Sequence, residues 1–219
     1  MIIDCQSARS QANKVRQALI ESELNQACQL DPGLTQVIDQ VGYPEPRIRK
    51  PGFSTLVEII NAQQLSTKAA AAIWNRLEKS CRGAVTPRKI LERTPAELRQ
   101  CGLSARKIGY ARALAERVLA KDVILETLEA LTDSKVISEL TKIKGIGRWS
   151  AEIYAIFALG RADIFPANDL ALQTAVQRYQ KLRSRPDEKQ TSKIGEKWSP
   201  HRTSVALLMW KYYGATTLD

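Results

Sequence analysis

The chain is poor in the residues that announce most kinds of site chemistry. Its 219 residues include four cysteines and one histidine. Cys5, Cys28, Cys81 and Cys101 lie far apart with no C-x-x-C pair, which argues against a disulfide frame and against a zinc site. They read as small, reduced hydrophobes of an intracellular protein. The lone histidine, His201, stands before Arg202 at a helix start and reads as a surface residue or a phosphate contact, not a catalytic base. Nothing approaches the roughly 18 apolar residues that span a bilayer; the longest apolar runs, such as 69–74 and 205–210, are short. The opening M-I-I-D-C-Q-S-A-R lacks the basic-then-apolar plan of a secretory leader. An intracellular location (cytoplasm or nucleoid, or a nucleus) with no membrane partner is therefore expected. Clear period-2 runs joined by hairpin turns are missing too, as are internal repeats and low-complexity tracts, so a strand-rich or solenoid fold is disfavoured.

What is present is apolar content of 44%, ample for a core, and a basic surplus: 33 Lys plus Arg against 23 Asp plus Glu, a formal charge of +10. A polyanion is the partner this favours, nucleic acid before an anionic membrane. Hydrophobic periodicity is helical nearly throughout. T-P-R-K at 86–89 and T-P-A-E at 94–97 each place threonine at an N-cap and proline at the first helical position, and Glu97 completes a capping box with Thr94. Gly102 closes that helix and Ser104 opens the next. Breakers cluster at 42–52 (G-Y-P-E-P-R-I-R-K-P-G) and at 183–188 (R-S-R-P-D-E). The expectation is an all-α protein, a compact two-lobed helical bundle forming one domain over 1–219. Its central lobe is placed at about 54–160, with 1–50 packing beside 170–219.

The most informative stretch is K-I-K-G-I-G-R-W-S-A-E at 142–152. D-S-K-V-I-S-E-L-T at 133–141 reads as a short helix capped by Asp133, and R-W-S-A-E-I-Y-A-I-F-A-L at 148–159 as another. Gly145 and Gly147 then form a tight connection, supplying conformations that a Cβ would penalise. Lacking side chains, they also leave bare the amides at the positive end of the second helix, which makes a phosphate seat. Lys142, Lys144 and Arg148 add charge around it. A turn that needs glycine for geometry alone is the plainer reading, and the flanking bases and net charge weigh against it.

L-T-K-I-K-G-I-G-R-W-S-A resembles the helix–hairpin–helix motif of the DNA glycosylase superfamily named for that hairpin and its Gly/Pro-rich loop ending in aspartate. One helix later, R-A-D-I-F-P-A-N-D-L-A-L-Q at 161–173 places Asp169 where the family has its catalytic aspartate. Bifunctional members carry a strand-cutting lysine two residues after the second hairpin glycine; here that residue is Trp149, which implies a monofunctional enzyme. The iron–sulfur branch uses four closely spaced cysteines near the C-terminus, and this chain has none after Cys101. Both points lead to the alkylbase branch, 3-methyladenine DNA glycosylase II, in a compact form without the β-rich N-terminal domain of many bacterial members. N-A-Q-Q-L-S-T-K-A-A resembles that branch's Q-Q-L loop, C-G-L-S-A-R-K-I-G-Y-A-R its G-[ML]-x-x-x-K segment, and W-S-P-H-R at 198–202 its W-x-P-x-R helix start.

The resemblance implies roles. Leu65 would wedge into the duplex when a base is extruded, with Gln64 beside it; on periodicity alone Leu65 reads as a core leucine at a helix end. Trp149 and Trp210 are the candidates for stacking on a cationic alkylpurine. Ile153 stands where better-known members have tyrosine, and bears on substrate range. Asp169 would face the deoxyribose C1′ and stabilise oxocarbenium-like charge or orient water, though such an aspartate by default caps a helix. Asp163 is the poorer candidate, read as exposed. DNA phosphate would meet the amides of Gly145, Gly147 and Ser150, and a sodium or potassium ion the carbonyls of Thr141, Ile143 and Ile146, with no cofactor needed for catalysis. The implied partner is double-stranded DNA with damaged bases, bound by a monomer. The competing reading is a catalytically inactive module that binds DNA structure.

Overall fold

The computed structural model describes residues 5–216. The opening M-I-I-D, read above against a leader pattern, and the side chain of Cys5 lie outside the described residues. Among the described residues the α-helices run in the order α1 (Cys5–Leu30), α2 (Gly33–Val41), α3 (Phe53–Ala62), α4 (Thr67–Ser80), α5 (Pro87–Glu92), α6 (Pro95–Gln100), α7 (Ala105–Leu119), α8 (Asp133–Thr141), α9 (Arg148–Phe157), α10 (Leu170–Tyr179), α11 (Glu188–Gly195) and α12 (Arg202–Ala215). Short 3-10 turns fill 125–130 and 196–198, and there is no strand among the described residues. The chain is all-α. It divides into two compact units, 1–48 with 160–219, and 49–159.

In the 49–159 unit the central helices are those whose sequence is apolar on nearly every face. F-S-T-L-V-E-I-I-N-A of α3 buries Leu56, Val57, Ile59 and Ile60, and α3 packs on α4, α7 and α9. Helix α9 buries every residue from Ser150 to Ile156. The Tyr154 hydroxyl at its centre accepts the Gly52 amide at 2.7 Å, and burial pushes that phenol above its ordinary pKa. Cap signals fall where the sequence places them: the Thr86, Thr94 and Ser104 side chains each accept the amide three residues on, and Glu97 closes the capping box. One boundary is corrected. Thr132 takes the extended N-cap conformation, and Asp133 is the first helical residue, where its charge faces the positive end of α8.

The other unit is built around α12, whose residues Thr203–Met209 are all buried, against α1, α2 and α10. Trp198 is fully buried, edge-on to Phe165 at 5.4 Å, and donates its Nε1 to Asp31 at 2.9 Å. Lys197 reaches the same carboxylate at 2.7 Å. Burial alone would raise the Asp31 carboxyl, but the hydrogen bonds from Lys197 and Trp198 outweigh it and hold it below the usual range. A half-exposed pair of this kind contributes about 1 kcal/mol or less, against about 1.5–3 kcal/mol for each large apolar side chain buried. Packing holds the unit, and the polar links set its register.

Candidate active site and DNA-contact elements

The hairpin between α8 and α9 lies in the 49–159 unit. Gly145 has φ 92°, in the left-handed region. A Cβ there would lie 2.2 Å from Tyr110 Cγ, so both conformation and space demand glycine. Gly147 differs from expectation. It is the N-cap of α9 in ordinary extended backbone, φ −84° and ψ 177°, and a Cβ would meet nothing within 4 Å. Neither strain nor packing explains a glycine here, so the bare approach to the helix end is what the missing side chain provides. The Gly147 cap supplies no side-chain hydrogen bond to the first turn of α9, leaving amides at the positive end of the helix. Arg148 and Lys144 are exposed at this mouth. Arg148 is braced at 2.9 Å by Glu152, whose side chain is 3% exposed, and Lys142 pairs with Glu139 at 2.7 Å.

Ser150 is 2% exposed, and its hydroxyl accepts from Gln63 at 2.9 Å. Only its backbone is left for an external ligand. Of the three carbonyls assigned to a cation, that of Thr141 ends α8, at the negative pole of the helix. The Thr141 hydroxyl turns back to the Ile137 and Ser138 carbonyls at 2.9 and 3.1 Å. The side chains of Ile143 and Ile146 are buried, and the Ile143 carbonyl accepts the Ile146 amide at 3.0 Å. Backbone oxygens are thus the donor set this turn has, the ligand type that hard cations take. Among the described residues no group of three His, Cys, Asp or Glu side chains could hold a metal.

The α3–α4 connection lies in the same unit. Helix α3 stops at Ala62, Gln64 is left-handed at φ 56°, and Ser66 caps α4. Leu65 is 40% exposed at the tip, so the core position that periodicity alone would give it is not the one it occupies. Two residues behind the loop carry its fixation. Gln63 Nε2 donates to the Gly145 carbonyl at 2.8 Å as well as to Ser150. Lys107 Nζ donates to the Asn61 and Gln63 carbonyls at 2.7 and 2.8 Å, and desolvation lowers that ammonium below the ordinary lysine pKa. Of the aromatic and apolar candidates on α9, Trp149 is half-buried at the hairpin end and Ile153 is 9% exposed.

In the other unit Asp169 is both cap and candidate. It is the N-cap of α10, its Oδ1 accepting the Leu172 amide at 2.8 Å. The same oxygen accepts Trp210 Nε1 at 3.0 Å. Two donors on one oxygen fix the plane of the half-buried carboxylate. Trp210 also walls a cavity of about 230 Å³ with Pro44, Glu45, Arg47, Leu207 and Lys211. The indole therefore joins the candidate carboxylate to the edge of that cavity. Asp163 is half-buried and not exposed, because Arg202 grips it with Nε at 2.7 Å and Nη2 at 2.9 Å and Ser199 donates at 2.8 Å. Burial would raise its pKa; the arginine and serine overcome that and lower it. It is a structural clasp. His201, half-buried, occupies the N-cap position of α12 without a side-chain capping bond.

Residues 57–201 match the family described as HhH-GPD superfamily base excision DNA repair protein. DNA-3-methyladenine glycosylase 1 of Schizosaccharomyces pombe is 34% identical over 188 residues, 83% of this chain and 82% of that protein. The 3-methyladenine DNA glycosylase of the same yeast, solved with abasic DNA, superposes with a TM-score of 0.81 over 87% of this chain and 95% of that one. The DNA-3-methyladenine glycosidase of Bacillus halodurans gives 0.78 at 34% identity, over 90% and 91%. With its family match spanning most of the chain, and with hairpin and aspartate built as described, the chain belongs to the HhH-GPD superfamily of base excision DNA repair proteins.

Proposed function

We propose that the chain is a monofunctional DNA glycosylase that hydrolyses the N-glycosidic bond of alkylated purines, of the 3-methyladenine and 7-methylguanine type, in double-stranded DNA. The observation that carries this reading is the orientation of Asp169 by Leu172 and Trp210, in a chain 34% identical to a DNA-3-methyladenine glycosylase. It acts as an intracellular monomer in base excision repair.

A base inside a duplex is out of reach and has to be extruded, at an unstacking cost of a few kcal/mol. The amides of Gly145, Gly147 and Ser150, with Lys144 and Arg148, hold the sugar–phosphate strand. Leu65 fills the vacated gap, and Gln64 contacts the exposed bases. Indole faces at Trp149 and Trp210 suit a cationic purine, and Ile153 shapes the apolar surroundings. As the C1′–N bond breaks, its electron pair leaves with the base and the sugar gains oxocarbenium character; the Asp169 carboxylate stabilises that charge and orients the attacking water. An alkylated purine is already cationic and departs readily, so one carboxylate suffices without a cofactor. The backbone carbonyls of Thr141, Ile143 and Ile146 would hold a sodium or potassium ion, which would supply positive charge favouring a phosphate at the hairpin.

The deciding experiment incubates the protein with methylated duplex DNA and identifies the free bases. Methylated purines are expected in solution while the strands stay intact until alkali is added, because position 149 offers no amine for a Schiff base. Strand scission without alkali overturns the monofunctional reading. Tight binding with no base released favours the inactive DNA-structure-binding module. A second outcome tests the indole. Trp210→Phe keeps an aromatic face, though a smaller one, and loses the donor to Asp169, so excision is expected to slow about tenfold while affinity for abasic product stays within about twofold of the parent. An unchanged excision rate would show that the carboxylate needs no such partner.

A further inference from the structure

The loop between α3 and α4 carries an exposed leucine on backbone that has little reason to stay in place. Gln64 bears a side chain yet is left-handed, a conformation that costs about 1–2 kcal/mol. Leu65 is 40% exposed, so burial alone does not hold it. Hydrogen bonds do, and all of them lie in the 49–159 unit. Lys107, on α7, donates to the Asn61 and Gln63 carbonyls, answering the negative end of α3 with a cation. Gln63 then reaches 82 positions along the chain to the Gly145 carbonyl and on to the Ser150 hydroxyl. The Gly145 carbonyl and the Ile146 amide belong to one planar peptide. That amide is already tied to the Ile143 carbonyl at 3.0 Å, so Gln63 clamps the opposite edge of the same plane.

We infer that Gln63, itself tethered by Lys107, is a positioning residue that locks the Leu65 tip and the Gly145–Gly147 turn into one register, so that a strand seated at the turn presents its gap at a fixed distance from the leucine. Gln63 acts through its neighbours and touches neither base nor sugar. The inference rests on the reading of Leu65 as the residue that fills the gap. The bland alternative is that Gln63 satisfies two part-buried acceptors and stabilises the unit, with no consequence for the loop.

The two differ in how substitutions combine. Single-turnover excision from methylated duplex DNA is measured for the parent, Gln63→Ala, Leu65→Ala and the double variant, each shown by thermal unfolding to be folded at the assay temperature. Each single change is expected to slow excision about tenfold, and the double change no more than about twofold beyond the slower single, because a misplaced leucine and an absent one fail at the same step. Lys107→Met, which cuts the other tether, is expected to be non-additive with Leu65→Ala in the same way. A double variant slowed by the product of the singles, about a hundredfold, overturns the inference, since independent losses multiply. So does a Gln63→Ala protein that excises at the parental rate while Leu65→Ala is slow. If Leu65→Ala itself excises at the parental rate, the gap-filling reading falls and takes the inference with it.

Discussion

Asp169→Asn is expected to bind abasic duplex DNA like the parent and to release methylated purines about 10²–10³-fold more slowly, the range found when one group that stabilises transition-state charge is removed. The substitution is the clean test because of how the carboxylate is held. Asparagine keeps an oxygen in the Oδ1 position, so it can still cap α10 through the Leu172 amide and still accept from Trp210; as an N-cap it ranks with aspartate. The fold is left alone and the negative charge is gone. Unfolding should shift by no more than about 2 °C, within the effect of a fraction of a kcal/mol in a chain of this size. Asp169→Ala confounds the question, since it removes a cap worth about 1 kcal/mol and strands the indole N–H at the same time. Base-release kinetics and product binding, measured on one preparation, separate chemistry from seating. Near-parental release by the asparagine variant would show that the charge at position 169 does not drive bond cleavage.

The features legible in the sequence are those governed by near neighbours. Thr-Pro pairs and a threonine–glutamate capping box mark helix starts within four residues, and they stand where the structure has them. Helical periodicity without strand signals gives the all-α class. The hairpin glycines and the later aspartate are close enough in the chain for a motif to show them. What stays hidden is set by contacts between distant segments. Nothing near Gln63 says that its amide reaches Gly145, or that Asp31 meets Trp198 from 167 positions away. The W-x-P-x-R stretch reads as a motif, yet only the fold shows that its arginine grips Asp163 and its tryptophan is buried. Leu65 is ambiguous for a related reason. Its spacing of eight from Val57 suits a core stripe, but α3 ends at Ala62 and the backbone turns left-handed at Gln64, which carries the side chain off that face. Gly145 and Gly147 look alike in the sequence and do different work, because local pattern does not reveal that Tyr110 lies against one of them.

That difference predicts opposite outcomes for two identical substitutions. Gly145→Ala forces a Cβ to 2.2 Å from Tyr110 Cγ and 2.8 Å from Tyr110 Cβ, atoms close to the α7 backbone that no rotation of the ring removes. It also imposes φ 92° on an L-residue. Conformational strain and overpacking each cost about 1–3 kcal/mol, so the midpoint of unfolding should fall by about 5 °C or more. Gly147→Ala meets no neighbour and keeps an ordinary extended backbone. Its weaker capping is offset by the lower entropy of the unfolded chain, about 0.4–1 kcal/mol, and the midpoint should move little. Its effect appears when DNA binds. On the proposed seating of the strand, a methyl group at the mouth of α9 would stand where a phosphate oxygen comes, and losing one charge-assisted hydrogen bond, about 1.5–3 kcal/mol, is expected to weaken affinity for abasic duplex about ten- to a hundredfold. Thermal unfolding and a binding titration on the two variants therefore separate a glycine kept for the fold from one kept for the ligand. If Gly147→Ala binds with parental affinity, the strand is not seated on this turn, and the open cap of α9 has some other reason to be bare.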